Sequence, residues 1–172
     1  MGTTAPWRTA WVTGASTGIG RHLAIQLAAR GVKQVAQSMD VNFLGMANAL
    51  EPLIPAMIGA GRGQLALVAS VAGYRGLPKA AAYAPSKAAV INLAEVLRLE
   101  LKKHGIIVSL VNPGFVETPM TSVNKFPMPF ILKPEDAAAR IMRGLERGNF
   151  EIAFPWQLVT VLKVLRIMPN SL

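Results

Sequence analysis

Cysteine is absent from this chain of 172 residues, which excludes disulfide frameworks, thiol nucleophiles and Cys-ligated zinc together. Histidine is nearly absent: His22 and His104 are too few and too far apart to point to a metal, so no metal site is expected. His104 stands beside Gly105, where an imidazolium at a helix end would favour the dipole. Acids are scarce, nine against 18 basic residues, giving a formal charge of +9. The cations are scattered, and the few aromatics do not interleave with them as in a base-stacking platform, so no nucleic-acid partner is expected. No run approaches about 18 uninterrupted apolar residues, the length a spanning helix needs. The start "MGTTAPWRTAWV" lacks a charged segment followed by a long apolar stretch, so no signal peptide is read there. The expectation is a soluble, cytoplasmic protein. With 52% hydrophobic residues, the chain is rich enough in apolar side chains for one domain, 1–172, with a real core.

Periodicity orders that core. "TAWVTGAS" reads as a short strand running into a glycine turn, and "GIGRHLAIQLAARG" as an amphipathic helix stopped by Gly31. From Gln34 to about Ala60 the pattern is helical, with interruptions expected at Pro52 and Pro55. "RGQLALVAS" is a strand, "AAYAPSKAAVINLAEVLRLELKKHG" a long helix, and "IIVSLVNPG" the strand that follows at once. "KPEDAAARIMRGLERG" opens a helix with Pro134 and acids, and "FEIAF" is the next strand. Alternating strands and helices predict a doubly wound, Rossmann-like parallel sheet in a three-layer α/β/α arrangement.

Several local features bear on chemistry. "TGASTGIG" sets Gly14, Gly18 and Gly20 at a strand-to-helix turn, where missing side chains let backbone N–H groups approach a pyrophosphate. "YAPSK" puts Tyr83 and Lys87 four apart, on one helix face. Ser70 falls at the carboxyl end of a parallel strand, where ligands bind in open α/β sheets, although turns and helix caps also use serine there.

Together with Asn42 in "DVNFLG" and the segment "NPGFVETPM" from Asn112, these motifs stand in the order of the short-chain dehydrogenase/reductase family, which the chain resembles from Trp11 to about Phe154. The resemblance implies hydride transfer between NAD or NADP and an alcohol or carbonyl carbon. It makes Tyr83 the general acid or base, and Lys87 the group that binds the nicotinamide ribose and lowers the tyrosine pKa. Ser70 would hold the substrate oxygen, and Asn42 would order a water linking Lys87 to solvent. The cofactor set it implies is Gly14, Ser16, Thr17, Gly18, Ile19, Gly20, Tyr83, Lys87, Pro113, Gly114, Val116 and Thr118, the last two gripping the carboxamide. One cation is enough for the tyrosine: at about 4 Å and an effective dielectric near 20, its field is worth about 4 kcal/mol, or about three pKa units.

Between "GVK" and "QVAQSMDVNFLG" the family would place a strand with the adenine-ribose determinant, then another helix and strand. A βαβ unit takes about 30 residues or more, so at least roughly 60 are missing at a seam near Lys33 and Gln34. The sheet is therefore expected to be incomplete, and the two residues to lie well beyond bonded distance. The choice between NAD and NADP belongs to that stretch. Arg21 is open to reading as a phosphate partner or a solvated helix residue.

The segment 155–172 is apolar, and Leu158, Val161, Leu162 and Leu165 share a helical face. It has three outlets: its own domain, another subunit of a homodimer or homotetramer, or a membrane interface. "FPMPFIL" is either a lid over a lipophilic substrate or a loop packed on the sheet edge. The competing function is a non-catalytic Rossmann-like scaffold that kept the motifs and lost the pocket.

Overall fold

The computed structural model describes residues 9–10, 33–34, 38–78, 80–122 and 126–169. Strands β1 (Thr9–Ala10) and β2 (Lys33–Gln34) pair in parallel, Thr9 opposite Lys33 and Ala10 opposite Gln34. Two sequence expectations change here. Lys33 and Gln34 are consecutive members of one strand, with no break between them, and Gln34 is extended rather than helical. The reason is local: both residues lie in one ladder, where backbone groups meet those of β1.

A π-helical turn, Asp40–Leu44, leads into α1 (Gly45–Ala60). Pro52 and Pro55 lie inside α1 without interrupting it. The carbonyls that lose a helical donor, of Asn48 and Glu51, belong to exposed residues, where water is free to hydrogen-bond them. Gly61, at φ 64°, ends the helix with its N–H on the carbonyls of Ile58 and Met57. The span Asp40–Ala60 is long and apolar enough to cross a bilayer by length and composition alone. Only Leu50 of the helix Gly45–Ala60 is buried in the core, with Phe43, Met46, Ile54 and Met57 partly buried against it, and most of the span is exposed.

Strand β3 (Gly63–Val68) is followed by α2 (Tyr83–Leu101), whose buried Ala84, Val90, Ile91, Ala94, Leu97 and Leu101 recur at helical spacing. A 3₁₀ turn, Lys102–His104, brings three basic residues to the end of this helix, and Gly105 at φ 71° turns the chain into β4 (Ile106–Pro113). There follow α3 (Pro119–Ser122), α4 (Pro134–Glu146), β5 (Glu151–Phe154) and α5 (Trp156–Ile167). Pro134 at the start of α4, with Glu135 and Asp136 in its first turn, gives that helix the N-terminus its sequence predicts.

Strands β3, β4 and β5 form a parallel sheet in that order, Gly63 opposite Ile106 and Leu110 opposite Glu151. One face carries Leu65, Leu67, Ile106, Val108 and Leu110, packed with residues of α1, α2 and α5. The other buries Val111, Ile152 and Phe154 against Ala137, Ile141 and Leu145 of α4. This is the three-layer α/β/α Rossmann-like arrangement, in incomplete form. The central strand is buried on both faces. At β3, by contrast, Gln64, Ala66 and Val68 on the α4 side are exposed.

Helix α5 is rotated from the sequence expectation. Leu158, Val159 and Leu162 face the core, whereas Val161 and Leu165 are exposed. Burial of Leu162, with Leu158 and Val159 against the core, is compatible with the salt bridge that Lys163 makes to Glu151 on β5.

Candidate functional site at the carboxyl end of the sheet

Ser70 lies two residues beyond the end of β3 and caps a 3₁₀ turn, Val71–Gly73. Its Oγ accepts from the Ala72 N–H at 3.2 Å and donates to the Pro113 carbonyl at 3.3 Å. The hydroxyl is thus held between the turn after β3 and the end of β4. Tyr83 is the first residue of α2 and is partly exposed. One helical turn on, Lys87 donates from Nζ to the carbonyl of Val68, the last residue of β3, at 3.2 Å. The same Nζ lies 5.7 Å from the centre of the Tyr83 ring. Burial pushes the Lys87 ammonium below the usual lysine range. Ser70 thus stands just beyond the end of β3, and Lys87, which approaches the Tyr83 ring, is tied to the last carbonyl of that strand.

Gly73 permits that arrangement. A Cβ there would meet the backbone of Lys87 and Ala88 at 2.9 Å and Ile91 Cδ1 at 2.7 Å, so only glycine lets the Ser70 turn lie against α2 at Lys87. Asn42 sits in the π-helical turn, and its Nδ2 donates to Ser86 Oγ at 3.0 Å. Ser86, fully buried, donates in turn to the Tyr83 carbonyl at 2.8 Å. The side-chain link made by Asn42 thus runs through Ser86 to the start of α2, beside the Tyr–Lys pair.

The segment after β4 is also tied to the sheet. The Gly114 N–H donates to the Phe154 carbonyl at 2.7 Å, and a Cβ on Gly114 would meet Pro155 at 2.8 Å. Val116 bridges Leu132, and Thr121 Oγ1 donates to the Val116 carbonyl at 2.7 Å. The Thr118 N–H donates to Thr121 Oγ1 at 2.9 Å. The glycine-turn residues Gly14, Ser16, Thr17, Gly18, Ile19 and Gly20, and Arg21 with them, lie outside the described residues. From the "FPMPFIL" segment, Phe126 packs edge-on against Phe115, their ring centres 6.1 Å apart, while Phe130 is exposed.

A second polar cluster escaped the sequence reading. Tyr74, directly after the 3₁₀ turn, donates to Glu151 Oε1 at 2.6 Å. Asn112, fully buried on β4, donates to the Tyr74 hydroxyl at 3.0 Å and to Glu151 Oε1 at 3.2 Å. Lys163 of α5 closes the group with a salt bridge to Glu151 Oε2. Burial and the neighbouring carboxylate push the Tyr74 hydroxyl far above the usual tyrosine range, so it stays a donor. Burial pushes the Glu151 carboxyl up, but the hydrogen bonds from Lys163 and Tyr74 outweigh it and hold the group below the ordinary carboxylate range. The only sequence signal was an acid opening an apolar strand and a lone lysine in an apolar helix, and sequence alone does not pair them.

This depressed value has a signed consequence. The unfolded carboxylate titrates near about pH 4.3, so the stability contributed by ionised Glu151 is present above that pH and is lost as pH falls through the lower folded value. The difference in melting temperature between wild type and Glu151→Gln is expected to be full at pH 7 and to close below about pH 4. A difference independent of pH would refute the ion-pair reading.

The family model described as short chain dehydrogenase matches residues 32–126, more than half of the chain. The protein belongs to the short-chain dehydrogenase family. Among relatives, an uncharacterized oxidoreductase of Myxococcus xanthus is 39% identical over 140 residues, covering 81% of this chain and 55% of that protein. The 3-ketodihydrosphingosine reductase of Dictyostelium discoideum is 31% identical over 140 residues, covering 73% of this chain and 42% of that protein. A short chain dehydrogenase from Burkholderia cenocepacia, solved in complex with NADP, superposes with a TM-score of 0.67 at 27% identity, over 85% of this chain and 57% of that one. The chain thus spans about half the length of the curated relatives it matches.

Proposed function

We propose that the chain carries the catalytic half of an oxidoreductase that moves a hydride between NAD(P) and an alcohol or carbonyl carbon. The observation that supports the reading is the Lys87 ammonium, anchored on the last carbonyl of β3 and close to the Tyr83 ring, with Ser70 two residues beyond that strand end. In this reading Tyr83 exchanges a proton with the substrate oxygen, Ser70 donates to that oxygen, and Lys87 supplies the positive charge and a ribose contact. Asn42 holds the start of α2 through Ser86. Pro113, Gly114, Val116 and Thr118 line the nicotinamide side, and the glycine turn from Gly14 to Gly20 takes the pyrophosphate.

A dinucleotide is supported by family membership and by the relative solved with NADP. The determinant separating NAD from NADP falls in the strand-helix-strand segment that the family carries between the first helix and Asn42. Only seven residues separate Gln34 from Asn42 here, too few for that segment. A lipophilic carbonyl substrate is supported by the relative that reduces a ketosphingoid base and by the apolar stretch around Phe126 and Phe130. Fluorescence titration with NADPH and NADH, followed by assays of cofactor oxidation as short-chain and long-chain ketones are reduced, tests both points. Dinucleotide binding with no oxidation by any carbonyl would favour the scaffold reading instead.

Association is proposed at two surfaces. Val41, Leu44 and Leu53 of the Asn42-bearing helix and Val96 and Leu99 of α2 are exposed, as a homodimer or homotetramer interface would require. On α5, Trp156, Val164 and Ile167 are exposed with Arg166 close by, which fits a peripheral membrane contact. Sedimentation is expected to give an oligomer alone and co-sedimentation with anionic vesicles. Val164→Glu with Ile167→Glu should abolish only the vesicle binding. A monomer that ignores vesicles would refute both contacts.

A further inference from the structure

We propose that Glu151 is a positioning residue for Ser70, acting through Tyr74 and Asn112. The inference rests on the reading that Ser70 binds the substrate oxygen. The Ser70 hydroxyl is oriented by two separate pieces of backbone, the Ala72 N–H and the Pro113 carbonyl. Each piece adjoins one member of the second polar cluster. Tyr74 directly follows the turn that contains Ala72, with its own N–H on the Val71 carbonyl, and Asn112 directly precedes Pro113. Tyr74, Asn112 and Glu151 Oε1 form a closed triangle of hydrogen bonds at 2.6, 3.0 and 3.2 Å. That triangle fixes how far the Ala72 side of the cradle stands from the Pro113 side.

The chemistry of the cluster is suited to holding rather than reacting. Glu151 accepts from three donors, and Lys163 balances its charge. Asn112 spends its Nδ2 on two acceptors while its buried Oδ1 has no partner among the described residues, a cost accepted only where the amide must point that way. Helix α5 delivers Lys163 and is itself seated on the Asn112–Gly114 turn, since a Cβ on Gly114 would lie 3.1 Å from Leu158. Oxyanion donors lose effect when displaced by fractions of an ångström, so a brace that sets the cradle's width acts on the rate and not on cofactor affinity.

Tyr74→Phe and Glu151→Gln, each nearly isosteric, test this in the full-length protein by two readouts. Amide hydrogen exchange at Ala72, whose N–H is held by Ser70 Oγ, is expected to speed up about tenfold, while the distant Gly105 amide, held by Lys102, stays unchanged. In turnover of a carbonyl substrate, kcat should fall about tenfold with the cofactor KM unchanged, and neither change should lower kcat further when added to Ser70→Ala. Ala72 exchange within twofold of wild type overturns the proposal, and so does full additivity with Ser70→Ala. A wild-type protein that reduces no carbonyl defeats the oxidoreductase reading instead, and the Ala72 exchange then still decides whether Glu151 sets the cradle.

Discussion

Tyr83→Phe is expected to lower kcat by about 10² to 10⁴-fold while leaving dinucleotide affinity within a few-fold, because it removes the transferable proton and keeps the ring. The ring is what Lys87 approaches, its Nζ 5.7 Å from the centroid, so the lysine keeps its position. Lys87→Ala should damage both quantities, since in the proposed reading a single ammonium, anchored on the Val68 carbonyl, serves the ribose and the tyrosine. Steady-state kinetics with parallel cofactor titration separates the two. Retention of most activity in Tyr83→Phe on any accepted substrate would remove Tyr83 from the chemistry.

Gly73→Val is expected to have the largest effect on stability. Its Cβ would stand 2.9 Å from the backbone of Lys87 and Ala88, which cannot yield as a flexible side-chain end can. Overpacking of that kind costs about 1–3 kcal/mol. At about 2–4 °C per kcal/mol for a domain of this size, the melting temperature should drop by roughly 2–12 °C. Because the contact lies between the Ser70 turn and the Lys87 turn of α2, activity should fall more steeply than stability. Gly59→Ala is the control, since nothing lies within 4 Å of its new Cβ. Equal melting temperatures for the two variants would show that the close approach is not needed.

The sequence carried the elements whose signals are local. The 3.6-residue recurrence from Ala84 to Leu101, the glycine stop at Gly105 and the apolar run from Ile106 each became the expected element at nearly the expected bounds. Gln34 failed because it is extended, paired in parallel with β1, where a ladder satisfies its backbone groups. Pro52 and Pro55 failed because the carbonyls they release belong to exposed residues, where water is free to bond them, a property of exposure and not of spacing. Tyr83 and Lys87 stood out through their motif, and their closeness on α2, with Lys87 on the Val68 carbonyl, follows from the four-residue spacing; the position of Ser70 just beyond β3 followed from the strand end. Glu151 and Tyr74 did not stand out, because they are 77 positions apart and meet only after the parallel crossovers are made. Which side of α5 meets the core, Leu158, Val159 and Leu162, is likewise decided by packing across the fold, which an apolar pattern alone does not specify.

The most direct test of the site is the fate of the hydride. With cofactor deuterated at C4 of the dihydronicotinamide and a ketone that the protein accepts, NMR of the product alcohol locates the label. The reading of Ser70, Tyr83 and Lys87 expects deuterium on the carbinol carbon from one face of the ring only, with Tyr83→Phe suppressing the transfer while cofactor still binds. Folded protein that binds the dinucleotide but transfers no label, or transfers it equally well without the Tyr83 hydroxyl, would contradict it.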